Sequence, residues 1–271
     1  MISIFKLQLK SFFMSSAFMF MAGILAFNMI VLLSNVTPQR TTLFSIIFTD
    51  VAFIAYFQFG GNYRLISSSS FSKKLETSGI NPVTFKFIFV AFTVSLALTF
   101  TFLNIGIIYL LDTMNIINFL VPINWQYFWW GWLIYWVIIQ TIVLVSFTYF
   151  LYRFISNQFL VFAILSVVFV IGILGGGTFG SVLIYDKDTG VVAGVKDQSV
   201  LIWLLIMLQP GWYANQLMVM SFKATSPMFD TFKPLNFSNY NTIMQYAFLI
   251  MPYVLISSFT LLPHALLRDN Y

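Results

Sequence analysis

The chain has 271 residues, of which 60% are hydrophobic and only 8% charged, with a formal net charge of +5. A soluble domain carries about 25% charged residues, so this composition excludes an ordinary water-soluble globule and points to lipid as the surrounding solvent. The lack of cysteine excludes disulfides and thiolate metal sites, and a single histidine, His264, excludes most metal-ligand and histidine-based catalytic schemes.

Residues 1–14 form an amphipathic segment. Ile2, Phe5, Leu9 and Phe12 follow helical spacing, while Lys6 and Lys10 lie one turn apart on another face. This is the pattern of a helix lying on the cytoplasmic membrane surface. Apolar runs follow at about Ser16–Leu33, Leu43–Gly60, Phe87–Leu111, Tyr127–Leu151, Gln158–Thr178 and Ile243–Leu262. Each approaches the ~20 residues needed to cross a hydrocarbon core. A backbone in lipid must satisfy its own hydrogen bonds, so these runs are helices, whereas barrel strands would alternate. The predicted fold is an all-α membrane protein, a single transmembrane domain over residues 1–271 with six transmembrane helices.

Charge sets the orientation. With the N-terminus inside, Lys6, Lys10, Arg64, Lys73, Lys74, Lys86, Arg153 and Arg268 are cytoplasmic, and Arg40, Lys187, Lys196, Lys223 and Lys233 lie outside. The positive-inside rule thus places both termini in the cytoplasm, and the net charge reads as topology, with no nucleic-acid partner. Trp125, Tyr127, Phe128, Trp129, Trp130 and Trp132 crowd the outer end of the fourth run as an interfacial belt. Heavy use of phenylalanine, isoleucine, asparagine and lysine fits an AT-rich bacterial genome, and so a bacterial cell membrane.

Between the fifth and sixth runs, the outer loop 186–241 contains a short apolar stretch, Val200–Leu208. It is broken at Gln209, Pro210 and Gly211, then followed by Trp212–Phe222. At ~1.5 Å per residue the first stretch reaches only about halfway through the core. A seventh span would put the C-terminus outside, so a re-entrant helical hairpin is expected here.

The first cytoplasmic loop, 64–86, starts at Arg64 and passes through four serines, which end the preceding helix or form a flexible turn. A short helical stretch then begins at Lys73-Lys74-Leu75-Glu76 and stops before Asn81-Pro82. The next helix has Pro82 near its first turn and carries Lys86. On its own residues this is a basic cytoplasmic loop. Together with the amphipathic start, the six runs, the apolar excursion and the short basic C-terminus, it resembles the membrane subunits of type-2 ABC exporters, the ABC-2 permease family. Arg64, Leu75, Glu76, Pro82 and Lys86 look like that family's loop positions. Leu65-Ile66 stands where the family often has acidic residues.

The resemblance implies that 64–86 is a coupling segment seated on a separate ATPase subunit. Lys73, Lys74 and Glu76 would supply polar contacts, and Leu75 and Ile80 buried ones. It further implies a second permease copy or homologue, an outer gate around Pro210, Gly211 and Trp212, and outward transport of a hydrophobic or amphipathic substrate such as a peptide, drug or lipid. ATP and Mg would sit on the partner, because the one triple glycine, Gly175-Gly176-Gly177, is not followed by the Lys-Ser or Lys-Thr of a P-loop. No cofactor or metal is expected in this chain.

Asp50 falls near the middle of the second run, where an ionisable group costs about 2.5–3.5 kcal/mol. It must face a wet pathway, be protonated or find a donor, for which Gln58, Asn104 and Gln140 are candidates. Asp50, Asn104 and Gln140 are therefore candidate pathway residues, and an ion-coupled secondary transporter using Asp50 is the alternative function. Against that alternative, no internal repeat relates the two halves. An intramembrane enzyme would need a cluster of reactive side chains that this sequence lacks.

Overall fold

The computed structural model describes residues 2–14, 16–34, 40–62, 69–79, 81–117, 119, 123 and 125–175. Among these every regular element is helical. In chain order they are α1 (Ile2–Phe13), α2 (Ser16–Ser34), α3 (Arg40–Phe53), a π-helical segment (Ile54–Phe59), α4 (Ser69–Thr77), α5 (Pro82–Thr113), a 3₁₀ turn (Trp125–Tyr127), α6 (Trp130–Phe154) and α7 (Gln158–Gly175). Among the described residues two stretches are long and apolar enough to cross a membrane: Thr84–Thr113 in α5 and Trp130–Tyr152 in α6, of mean hydropathy 2.1 and 1.9.

Local chemistry explains the helix ends. Pro82 opens α5, where its missing N–H is one the helix would leave unpaired anyway, and Phe85 N–H donates back to Asn81 O at 3.0 Å. At the far end Asn115 takes a left-handed φ of 56°, a conformation that asparagine tolerates better than most residues. Ile116 N–H then reaches back to Leu111 O at 3.0 Å and closes the helix end. Asn157 caps α7 by accepting from Phe159 N–H at 3.0 Å.

The core is built around α3 and its π segment, which touch α2, α5, α6 and α7. From Ile46 to Phe59 only Phe53 and Phe57 are even partly exposed. A helix apolar on all sides is one enclosed by its neighbours. Within the π segment, the Ala55 carbonyl accepts from Thr148 Oγ1 of α6 at 3.2 Å, and the Gln58 carbonyl accepts from Asn62 Nδ2 at 2.8 Å. These side-chain donors supplement the irregular ladder of a π-bulge.

Four features differ from the sequence expectation. The second run is one continuous helix but carries the π segment. The serine run does not end at a turn, because Ser69 and Ser70 already belong to α4, which begins four residues before Lys73. The fourth run becomes helical only at Trp130, because Trp125–Tyr127 forms a separate 3₁₀ turn. The apolar side of α1 is partly covered by protein: Phe5 packs edge-on to Phe92 at 5.3 Å, and Phe12 lies 6.3 Å from Phe100, both on α5. Arg64, the loop 186–241 with Pro210, Gly211 and Trp212, the sixth apolar run and His264 lie outside the described residues.

Candidate functional site

Two groups of side chains bear on function, one at the end of α5 and one in its middle. At the end, α4 is a nine-residue helix set against α5. Lys73, Lys74 and Glu76 are exposed, whereas Leu75 is 8% exposed and belongs to the chain's own apolar core. Leu75 therefore fixes α4 to the bundle and leaves the charged residues on its exposed face. The exit from α4 is closely bonded. Thr77 Oγ1 and Ser78 Oγ both donate to the Lys74 carbonyl, at 3.0 and 2.8 Å. Gly79 N–H donates to Glu76 O at 2.9 Å. Gly79 has φ 72°, which glycine adopts without the Cβ clash other residues meet. Only residues 78–81 separate Thr77 from Pro82, and of these Ser78 and Gly79 bond back onto α4 while the Asn81 carbonyl accepts from Phe85 of α5. Lys86, one turn into α5, is half-buried.

In the middle of the bundle Asp50 is 0% exposed. Asn28 Nδ2 from α2 donates to its Oδ1 at 3.1 Å, and Asn104 Nδ2 from α5 donates to its Oδ2. Three helices thus meet on one carboxylate, and both asparagines are buried as well. Of the donors expected from sequence, Asn104 is the one that binds it, and Gln58 and Gln140 do not. Gln140 is 1% exposed, with both side-chain polar atoms unpartnered among the described residues. Sequence reasoning missed Asn28. Its signal was available, as the one carboxamide in the first apolar run.

None of Asp50, Asn104 and Gln140 lines the groove that opens between α2, α3 and α7. This groove holds about 430 Å³ and is walled by Met19, Phe20, Ile24 and Phe27, with Thr49 and Phe169 beneath. At the other end of α5, Asp112 has a partner beyond solvent: Trp125 Nε1 donates to its Oδ2 at 2.7 Å. The neighbouring aromatics stack on one another, Trp129 on Trp132 at 5.5 Å. Among the described residues no three histidine, cysteine or acidic side chains converge as metal ligands. No protein-family model matches the chain, and no curated protein or solved structure is significantly similar to it.

Proposed function

We propose that this chain is the membrane-spanning permease subunit of an ABC exporter of the ABC-2 type, driven by a separate ATPase that docks on α4. The observation that carries this reading is the build of α4. It is short, anchored inward by Leu75, charged outward through Lys73, Lys74 and Glu76, and followed after four residues by the 32-residue α5, with Ser78 and Gly79 bonded back onto its end. A helix built this way passes a push at its outer face into a long bundle helix with little slack. A loop serving only topology needs basic residues but no such tie.

The membrane setting is supported by side chains that water would disfavour. Met19, Phe20, Phe87 and Phe159 are 65–83% exposed, large apolar side chains of a kind that lipid would cover. In this reading six helices cross a bacterial plasma membrane with both termini in the cytoplasm. α1 acts as the elbow, and a second permease copy or homologue completes the pathway. The substrate is a hydrophobic or amphipathic molecule moved outward. ATP and Mg belong to the partner subunit.

Capture from detergent tests the proposal, with the wild-type chain compared against a Lys73→Ala, Lys74→Ala, Glu76→Ala variant. A P-loop ATPase should co-purify with the wild type, and the triple change should weaken its capture or uncouple its hydrolysis. If no ATPase is captured at native expression in lipid, the exporter reading is wrong, and ion-coupled transport through Asp50 becomes the reading to pursue.

A further inference from the structure

We propose that the Asp50 carboxylate, together with the Asn104 carbonyl oxygen, holds one alkali-metal cation inside the bundle. The first observation is charge. Asp50 is 0% exposed and its two partners are neutral amides, so once ionised the carboxylate has no positively charged partner among the described side chains. Lys86 is the only basic residue of α5 and stands about five turns from Asn104, ~27 Å along the helix. Lys6, Lys10, Lys73 and Lys74 are exposed.

The second observation is a set of buried oxygens without donors. Asn104 commits its NH₂ to Asp50, and its Oδ1 has no hydrogen-bond partner among the described residues. Sharing one carbon with that nitrogen, the oxygen lies ~2.3 Å from it and so in the same buried polar cluster as the carboxylate. Thr101 is 1% exposed, its Oγ1 is also unpartnered, and it lies on the same face of α5 three residues before Asn104. Gln140 adds an unpartnered buried amide on α6, which packs on both α3 and α5.

Carboxylate, carbonyl and hydroxyl oxygens are the ligands of hard cations. One negative charge balances one positive charge, so a monovalent ion fits and Ca²⁺ or Mg²⁺ would leave a buried excess. A water molecule could satisfy the orphan oxygens but would leave the charge unbalanced. The inference needs no ATPase and stands apart from the proposed docking at α4.

Thermal unfolding of the purified full chain in detergent tests it, in NaCl, KCl and N-methylglucamine chloride at equal ionic strength. An ion bound only by the folded chain raises Tm with the logarithm of its concentration. Na⁺ or K⁺ should raise Tm above the organic cation, and Asp50→Asn should remove the difference. Should Asp50→Asn fail to fold, Thr101→Val, which keeps the carboxylate and both amides, should shift the ion midpoint upward by about tenfold. Equal melting of the wild type in all three salts overturns the site, as does an ion response that survives Asp50→Asn or is unmoved by Thr101→Val. A response to pH without discrimination among the salts means that a proton occupies the carboxylate, and it overturns the site as well.

Discussion

At the residue scale, Asp50 depends on two helices for its donors. Removing either amide leaves a buried carboxylate oxygen short of a bond, and such an orphan costs about 1–3 kcal/mol. Asn104→Leu and Asn28→Leu should each lower unfolding stability in detergent by that amount. The double change should cost less than the sum, because both amides serve one carboxylate. Unchanged stability in both variants would show that the carboxylate does not need its amides. Gly60 is a second sensitive position, for a different reason. Its backbone is ordinary helix at φ −61°, but a Cβ there would meet Thr148 Cγ2 and Tyr152 Cε2 at 3.1 Å. Gly60→Ala should be tolerated with a small shift of Tyr152, whereas Gly60→Val should cost about 1–3 kcal/mol by overpacking. Equal stability of the Val variant and wild type would refute the close approach of Gly60 to α6. Sequence could flag Asp50, since a lone carboxylate in an apolar run must find a donor. Choosing among donors needs the depth and rotation of each helix. That is why Asn104 was one of three candidates, Asn28 was overlooked and the pairing with Gln140 does not occur.

At the scale of elements, helical spacing and apolar length anticipate α1, α2, α3, α5, α6 and α7, and the run from Lys73 to Asn81-Pro82 anticipates α4, which starts at Ser69. What escaped has a physical cause in each case. Ile54–Phe59 is an unremarkable apolar stretch, and its π winding is supported by contacts from α6 such as Thr148 to the Ala55 carbonyl. The serines before Lys73 favour turns in isolation, yet two of them open α4, where polar residues suit a helix start. The turn after α4 supplies the next prediction. Gly79 has nothing within 4 Å of an added Cβ, so a substitution there meets only its φ of 72°. Gly79→Ala should strain that turn by about 1 kcal/mol and change the angle at which α4 meets α5. Melting of the whole chain should hardly move, while ATPase capture should fall. Gly79→Asn should retain most of the capture, because asparagine accepts the left-handed region. If Ala and Asn behave alike, the turn geometry is not what positions α4.

At the scale of the whole molecule, α5 links everything described above. Its first turn follows α4, its middle carries Asn104 against Asp50, and its last turn ends beside the tryptophan belt. Thirty-two residues make a rod of ~48 Å, longer than the ~30 Å hydrocarbon core. The two ends must then lie on opposite sides of a membrane if α5 crosses it. The natural lack of cysteine makes this directly measurable, since any single cysteine introduced is the only thiol. Lys73 is exposed just before α5, and Met114 is 65% exposed just after it. In intact cells a membrane-impermeant maleimide should label Met114→Cys and spare Lys73→Cys, and permeabilising the cells should make Lys73→Cys reactive. Reversed labelling would put α4 outside, where no ATPase could reach it. Equal labelling of both positions would mean that α5 does not cross, and the permease reading would lose the frame in which a push on α4 moves a pathway. Labelling as expected would place α4 on the ATP-containing side, with Asn104 and Asp50 between the two surfaces. There, movement of α5 would change the contacts around the buried carboxylate.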